Sequence, residues 1–209
     1  MKLHKAIKLA SLFLATMILS GSGCPLIPDI EEKIVELALG ASVIVPFEAR
    51  GIINDKGEVS CFSVTDEIDL RQILDDADVD VSDVKAISLS GVSYRVAKAD
   101  ANASRMIVNS SVDISYGDDG PDPLVTNFSG SAGAVTDFMT VSLDAAGVAL
   151  INSMLDDLLS AVQNNTNTDV NGCATWTGQS TPLEENTNFD WEIRLDITIV
   201  GEITIDVPN

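Results

Sequence analysis

With 209 residues, the chain is long enough for one domain with a sizeable hydrophobic core. It carries 32 Asp and Glu against 12 Lys and Arg, a formal net charge of −20 at pH 7. A field of that sign repels phosphate backbones, so the composition argues against nucleic acid as a partner.

Residues 1–23 have the order of a secretory signal peptide. Lys2, Lys5 and Lys8 precede an apolar run from Leu9 to Leu19, and the small residues 20–23 follow it. The run is well short of the roughly 20 residues that span a bilayer as a helix, so a retained transmembrane helix is the weaker interpretation. We therefore predict that the chain is exported across a membrane.

The small residues end on Cys24, and this arrangement resembles the lipobox of bacterial lipoproteins. In that family, cleavage occurs just before a cysteine that carries a diacylglycerol. The resemblance covers residues 1–24 and implies lipid attachment at Cys24, the membrane as a partner, and a cell-envelope location at the outer membrane, in the periplasm or on the cell surface. Gly21 stands where the family usually has Leu, so ordinary signal cleavage near Ser22 or Gly23 is the alternative.

Cleavage changes the charge and the chemistry of the remaining chain. Nine basic residues then face 32 acidic ones, which gives a net charge of −23. The one histidine, His4, is lost with the signal peptide. The mature chain therefore lacks the imidazole that Ser-His-Asp and Cys-His catalysis and histidine-containing metal sites require.

Two cysteines, Cys61 and Cys173, remain if Cys24 takes lipid. In an oxidising compartment these two can pair, and the bridge would close a loop of about 110 residues. Two buried free thiols are the alternative. The cysteine spacing does not fit a metal site.

The first predicted elements lie close to the anchor. Residues 24–40 are expected to form a lipid-anchored segment with a short helix. The helix is predicted to run from Asp29, its N-cap, to Leu39, and Gly40 ends it. Strand patterns come next at Ser42–Ile52, where Pro46 indicates an edge or a bulge, and at Glu58–Val64.

The middle of the chain alternates between helix and strand patterns. Asp66 is predicted to cap a helix whose apolar face is formed by Leu70, Ile73, Leu74 and Ala77. Lys85–Ala97 predicts a strand with a β-bulge at Gly91, where the apolar alternation changes parity. Met106–Tyr116 predicts a strand whose even-numbered residues share one apolar face, and Gly117–Pro121 predicts a turn.

The last third holds the clearest patterns. Strands are predicted near Leu124–Phe128 and Val135–Leu143, and then a helix over Asp144–Val162. The apolar stripe of that helix is Val148, Ile151, Leu155, Leu158 and Val162. A polar loop over 163–172 leads to a short strand at Cys173–Thr177. Apolar and polar residues then alternate from Phe189 to Val207, roughly 60 Å if extended, so we expect Gly201 to bend or divide this strand.

About eight alternating strands favour a mainly β fold. We predict that residues 41–209 form a single antiparallel β-sandwich domain with two or three helices, of which the longest lies near 144–162 and covers an open end or edge. A barrel that encloses a ligand is the alternative.

Asp76, Asp78, Asp80 and Asp83 form the one motif that suggests a metal. Acids at alternate positions of a loop can direct several oxygens at Ca²⁺, and this segment is a weak calcium candidate. An EF-hand needs Gly and Glu where this chain has Val81 and Ile87. Exposed acids after a helix are the alternative interpretation, and the same holds for the acidic turn at Asp118, Asp119 and Asp122.

No residue qualifies as a catalytic one. Ser129–Gly133 lacks the first Gly of the G-x-S-x-G pattern, and no histidine is left to activate Ser131. Phe189 and Trp191 lie on the apolar parity of their strand and are expected in the core. Trp176 is expected in the core or at an edge.

The expected function is therefore a non-catalytic binding or structural role in the cell envelope, with a protein partner of unknown identity and no required cofactor. If the chain is a protein-interaction or structural module, we expect an apolar or flat polar patch on its surface, or an exposed strand edge. A calcium-dependent or small-ligand-binding module would show converging carboxylates, or an apolar cavity beneath helix 144–162. A histidine-free hydrolase would show a carboxylate pair of raised pKa in a cleft.

Overall fold

A computed structural model describes residues 31–55 and 57–207, with side chains from residues 35–55 and 57–203. The signal peptide, Cys24 and Asp29 lie outside the described residues.

Eight strands form two antiparallel sheets of four strands each. The first sheet has the order β1-β8-β3-β6 and the second has the order β2-β7-β4-β5. The antiparallel β-sandwich is confirmed, and the strands described here do not close into a barrel. The strands are β1 Glu31–Gly51, β2 Glu58–Ser63, β3 Val84–Lys98, β4 Met106–Tyr116, β5 Asp119–Ser131, β6 Met139–Thr140, β7 Asn171–Thr181 and β8 Thr187–Val207.

The pairing of β1 with β8 organises the first sheet. It runs over 21 residues of each strand without a register shift, from Glu31 opposite Val207 to Gly51 opposite Thr187. Odd-numbered residues point into the sandwich over 43–49 of β1 and 189–199 of β8, where Val43, Phe47 and Trp191 are buried. The period-two alternation of the sequence is therefore the burial pattern of the sheet.

Two expectations for these strands are wrong. Glu31–Leu39 does not belong to a helix, because it forms the first half of β1. Its Leu37 and Leu39 alternate at the strand period, and pairing with β8 outweighs the local helix preference of the segment. Gly201 does not divide β8 either, because it lies opposite Leu37 within the continuous ladder.

The β-bulge predicted in β3 is confirmed. The register of β3 against β8 shifts between Leu89 and Gly91, so Leu89 and Val92 are both buried although their numbers differ in parity. A bulge adds one residue to one strand and restores the apolar face on the other parity.

The predicted alternation of β4 holds only in its second half. Val112 and Ile114 are buried as expected, but Ile107 is buried in place of Met106, which is 37% exposed. Asn109 adopts a φ of 51°, and the register against β5 and β7 slips around it. Because of this irregularity, an odd-numbered residue faces the core before Asn109, and even-numbered residues face it after Asn109.

The strands around the acidic turn differ from their predicted bounds. β5 begins at Asp119, inside the predicted turn, and extends beyond Leu124–Phe128 at both ends. The strand expected over Val135–Leu143 is reduced to β6. Only Met139 and Thr140 pair with β3, at Tyr94 and Ser93 respectively.

The helices are α1 Val64–Glu67, α2 Leu70–Asp76 and α3 Ala145–Gln163. In place of the single helix predicted to start at Asp66, the structure has two short helices, α1 and α2. Ser63 caps α1 by accepting the Asp66 N–H, and Asp69 caps α2 by accepting the Gln72 N–H. Asp66 lies inside α1, so its predicted capping role is wrong. Serine and aspartate at these two positions explain the break, because each satisfies the free N–H groups of a new first turn.

Helix α3 is confirmed, with the side chain of Asp144 capping it by accepting the Ala146 N–H. It packs against β3 of one sheet and against β4 and β5 of the other, and so closes one side of the sandwich. By length and composition it is the one helix in the described part of the chain that is long and apolar enough to cross a membrane. Its burial against the sheets accounts for that composition. The buried residues are Leu150, Ile151, Met154, Leu155, Leu158, Leu159 and Ala161.

The core is centred on a cluster of aromatic rings between the sheets. Trp191 stacks on Phe47 with ring centroids 4.4 Å apart, and Trp176 meets Trp191 edge-on at 5.1 Å. Phe128 lies 5.8 Å from Trp191. Trp176, Phe189 and Trp191 are fully buried, so the expected core positions of Phe189 and Trp191 are confirmed.

Gly147 sets how closely α3 approaches β5. A Cβ atom at this position would lie 2.6 Å from Leu124 Cα and 2.6 Å from the Pro123 carbonyl oxygen. We expect Gly147→Ala to lower the free energy of unfolding by about 1–3 kcal/mol, because the clash with backbone outweighs the gain of roughly 1 kcal/mol in helix preference. Urea denaturation followed by fluorescence of the two buried tryptophans measures this change.

The matched control is Ser153→Ala on the exposed side of the same helix. It changes helix preference without a steric contact, so stability should stay level or rise by about 0.5 kcal/mol. If Gly147→Ala were as stable as this control, the close approach of α3 to β5 would not constrain the fold.

Candidate functional site

The structure pairs Cys61 with Cys173 in a disulfide. The two residues lie directly opposite each other in β2 and β7, with Cα atoms 3.9 Å apart. Cys61 is exposed and Cys173 is half-buried, so the bridge lies on the solvent face of the second sheet. It ties the six-residue edge strand β2 to the rest of the sheet.

The acids of the calcium candidate do not converge. Asp76 ends α2, and Asp78 lies in the following turn with a φ of 56°. Asp80 caps a 3-10 turn over Val81–Asp83, and its Oδ1 atom accepts hydrogen bonds from both the backbone N–H and the hydroxyl of Ser82 at 2.8 Å. These two bonds lower the pKa of Asp80.

Within residues 31–55 and 57–207, no group of three or more His, Cys, Asp or Glu side chains is placed to hold a metal ion. The structure therefore does not bring Asp76, Asp78, Asp80 and Asp83 together as a site. The capping role of Asp80 and the helical position of Asp76 give these acids local structural functions.

The other segments singled out in the sequence are structural as well. Asp119 and Asp122 belong to β5 and lie opposite Tyr116 and Ile114 of β4. Gly130, in the serine- and glycine-rich segment, packs beneath the Tyr94 ring, whose hydroxyl oxygen would lie 2.5 Å from a Cβ atom there.

A buried arginine that the sequence did not reveal lies at one end of the sandwich. The Arg105 side chain is 2% exposed, and its guanidinium donates to the carbonyls of Pro182 and Asn186 and to the Glu185 carboxylate, each at 3.1 Å. Its Nε atom lies 3.6 Å from Asp100 Oδ1. The segment around Arg105 is polar and without periodicity, so only the tertiary structure identifies this ion pair.

Asp100 completes the cluster. Its carboxylate accepts the backbone N–H groups of Asn102 at 2.8 Å and Asn188 at 2.7 Å. Burial raises the pKa of Asp100, but these two N–H groups and the Arg105 guanidinium together bring it below its ordinary value. The cluster joins the loop after β3 to the loop before β8 and has a structural role.

A second carboxylate interaction lies beside α3. Tyr116 donates its hydroxyl to Asp157 Oδ2 at 2.6 Å. Burial and the neighbouring Asp157 carboxylate raise the pKa of Tyr116 to about 12.

The outer face of the first sheet carries much of the positive charge of the chain, and acids neutralise it. Arg95 Nε lies 2.7 Å from a Glu192 carboxylate oxygen. Arg95 and Arg194 also enclose the Phe138 ring, with guanidinium carbons 4.6 and 4.4 Å from its centroid. The further pairs on this face are Lys85 with Glu202, Arg194 with Asp196, and Arg50 with Glu48 and Asp190.

A polar recess of about 370 Å³ lies between α1, α2 and the C-terminal end of α3. Arg71 borders it and donates to the Val162 carbonyl at 2.9 Å and to Asn165 Oδ1 at 3.0 Å. Asp66, Asp69 and Asp169 also line it. These bonds hold α2 against the end of α3.

The feature that best fits a functional surface is the free edge of β1, by which we mean residues 36–45. Among the described strands, β1 pairs only with β8, so the other side of its backbone has no partner strand. No charged residue occurs from Leu37 to Phe47. Further along, Pro46–Glu48 lie beside Glu58–Ser60 of β2, which limits the open part of the edge.

The other three sheet edges are short or irregular. β2 has six residues and β6 has two, so most of β3 beside β6 is also unpaired, but β3 shifts in register against β8 at three places. β5 slips in register against β4 at four places and contains Pro121 and Pro123. Such features protect edges against pairing with other chains. The free edge of β1 is therefore the one long regular edge among the described strands.

A shallow groove of about 670 Å³ on the outer face adjoins this edge. Small side chains create it, and a Cβ atom at Gly40 would meet nothing within 4 Å. Residues that line it are Gly40, Ser42, Ile44, Ser90, Asp196 and Thr198.

No protein-family model matches the sequence, and no curated protein matches it. Among solved structures, a chain of Desmodium yellow mottle tymovirus is similar over 91% of this chain and 99% of its own length, with 9% sequence identity and a TM-score of 0.29. Similarity at that TM-score carries no argument about fold or function.

The disulfide is expected to stabilise the domain. Cys61 and Cys173 are 112 residues apart in sequence, so the bridge restricts a long loop of the unfolded chain. We expect Cys61→Ala with Cys173→Ala to lower the free energy of unfolding by about 2–4 kcal/mol in urea denaturation. The control is Val59→Ala with Thr175→Ala, the neighbouring opposed pair, which should cost only about 0.2–1 kcal/mol. Equal losses in both double variants would contradict a stabilising bridge.

The Asp100–Arg105 pair is expected to make stability depend on pH. Because the pKa of Asp100 is lowered in the folded state, its contribution is present above the unfolded value of about 3.9 and is lost as the pH falls through the folded pKa. Asp100→Asn leaves Arg105 buried without its buried partner, so we expect a loss of about 3–5 kcal/mol at pH 7.

Urea denaturation between pH 7 and pH 3 measures both effects, and the variant should lose less stability than the native chain as the pH falls. Glu185→Gln is the control, because Glu185 is a 52% exposed partner of the same arginine and should cost no more than about 1 kcal/mol. If Asp100→Asn were no worse than Glu185→Gln, the buried pair would not be the important contact of Arg105.

Proposed function

We propose that this protein is a cell-envelope lipoprotein, attached to the membrane through lipid on Cys24, whose acidic β-sandwich domain serves as a non-catalytic interaction module. The observation that carries the interaction role is the free edge of β1, which offers unpaired backbone groups to another chain. The observation that carries the anchor is the order of lysines, apolar run, small residues and cysteine at the start of the chain.

The position of β1 fits an anchored domain. The strand begins at Glu31, seven residues after Cys24. Seven residues span at most about 25 Å when fully extended. A lipid on Cys24 would therefore hold the start of β1 close to the bilayer surface, without a long flexible tether.

The alternatives have less support in the described part of the chain. A calcium-dependent module calls for converging carboxylates, and Asp76, Asp78, Asp80 and Asp83 do not converge. A histidine-free hydrolase calls for a carboxyl group of raised pKa in a cleft, whereas the pKa values of Asp80 and Asp100 are both lowered.

The anchor is tested by producing the full chain in a bacterial host fed an alkyne analogue of palmitate. We expect the chain to take up the label and to sediment with membranes. Cys24→Ala should abolish the label and leave the uncleaved precursor. The matched control is Ser22→Ala, which keeps a small residue before the cysteine and should be labelled normally. A native chain that is cleaved, unlabelled and released as a soluble protein would overturn the proposed anchor.

A further inference from the structure

We propose that the free edge of β1 pairs with the same edge of a second copy of this chain, antiparallel and centred on Gly40. The two four-stranded sheets would then join into one continuous eight-stranded sheet. The inference rests on the proposed interaction role of the domain and names its partner.

The backbone of β1 is suited to strand addition. An edge strand presents a row of unpaired N–H and C=O groups, and natural proteins usually protect it with charges, prolines, bulges or short length. Here β1 is 21 residues long and pairs with β8 without a register shift. Its residues from Leu37 to Val45 include neither a charge nor a proline, while the other three edges are short or irregular.

Charge favours a second copy over a basic partner. Two molecules that each carry a large negative charge repel one another, so they can associate only where the local charge is small. The free edge of β1 has one charged residue, Glu36, at its end. On the adjoining outer face, the basic groups are paired with acids, as in Arg194 with Asp196. A basic partner would gain nothing from this uncharged edge and would be drawn to other parts of the surface.

The bounds of the free edge set the register. Pro46 has no N–H to donate and lies beside β2, so pairing ends before it. In an antiparallel pair, two residues directly opposite each other either both point their backbone N–H and C=O groups at the partner strand or both point them away. The two-fold axis of a symmetric pair therefore passes through a residue position and not between two residues. An axis at Gly40 places Glu36 opposite Ile44 and Ala38 opposite Ser42 of the second copy. In this register no like charges face each other.

Side chains on the outer face do not obstruct the proposed pairing at its centre. A Cβ atom at Gly40 would meet nothing within 4 Å, so that face of the strand is open there. Ile44, which is 40% exposed, would gain cover from the neighbouring copy.

Disulfide trapping tests this pairing. Gly40→Cys in the full chain, oxidised in membranes of the producing bacterium, should give a species of twice the mass on a non-reducing gel, because the two Gly40 positions face each other. Val59→Cys is the matched control, since Val59 is 64% exposed on the edge strand of the other sheet and should stay monomeric. Ala38→Cys and Ser42→Cys should cross-link when the two variants are co-produced and much less when each is produced alone.

A second variant separates pairing from folding. Ala38→Lys with Ser42→Lys places charges on the edge without touching the core, because both side chains are exposed. Added to Gly40→Cys, it should abolish the dimer while leaving the melting temperature of the purified chain within about 2 °C, a shift of no more than about 1 kcal/mol.

The outcomes distinguish this inference from the proposed anchor. If Gly40→Cys stays monomeric, or links to a different protein, while the chain is still labelled with lipid, self-pairing is wrong and the anchor stands. If the dimer forms in a chain that carries no lipid, self-pairing stands and the anchor is wrong. A dimer that survives the two lysines would also overturn pairing through β1.

Discussion

The ladder between β1 and β8 is the contact on which the rest of the structure depends. It joins the first strand described to the last over 21 opposed pairs, and it places Phe47 against Trp191 at the centre of the aromatic core. β3 adds to the other side of β8, so the sheet forms only when the two ends of the domain meet. The same arrangement leaves β1 at the edge, and the surface most suited to a partner is a direct result of the contact that holds the fold together.

The charge balance explains how such an acidic chain remains folded. Several of its basic groups pair with acids on the outer face of the first sheet, and Arg105 pairs with Asp100 in the interior. Exposed pairs each add little, while the buried pair joins two loops, and Arg105 also satisfies two backbone carbonyls of the loop before β8. The unpaired acids remain in solvent, where they favour solubility. The free edge of β1 differs from the rest of the surface, because Glu36 is its one charged residue.

Local sequence patterns predicted the elements that depend on periodicity. Alternation gave the strands and the sandwich, the parity change gave the bulge at Gly91, and α3 followed from its apolar stripe. The errors arose where distant residues decide the outcome. Glu31–Leu39 is a strand because β8 pairs with it, and Asn109 exchanges the faces of β4. Pro46 indicated an edge or a bulge in this strand, and β1 does lie at an edge, but the length of the open edge depends on strand order and so could not be read from a local pattern.

Within the domain β1 pairs with β8, and β8 is the last of the described strands to be synthesised. A chain synthesised in sequence order presents β1 first among the described strands, and β8 follows only after every other described element. Contacts between residues so far apart in sequence carry a high entropic cost and form slowly. The β1–β8 ladder therefore cannot form until the whole domain has been synthesised. In that interval β1 presents two rows of unpaired backbone groups, whereas in the finished domain β8 pairs with one of them.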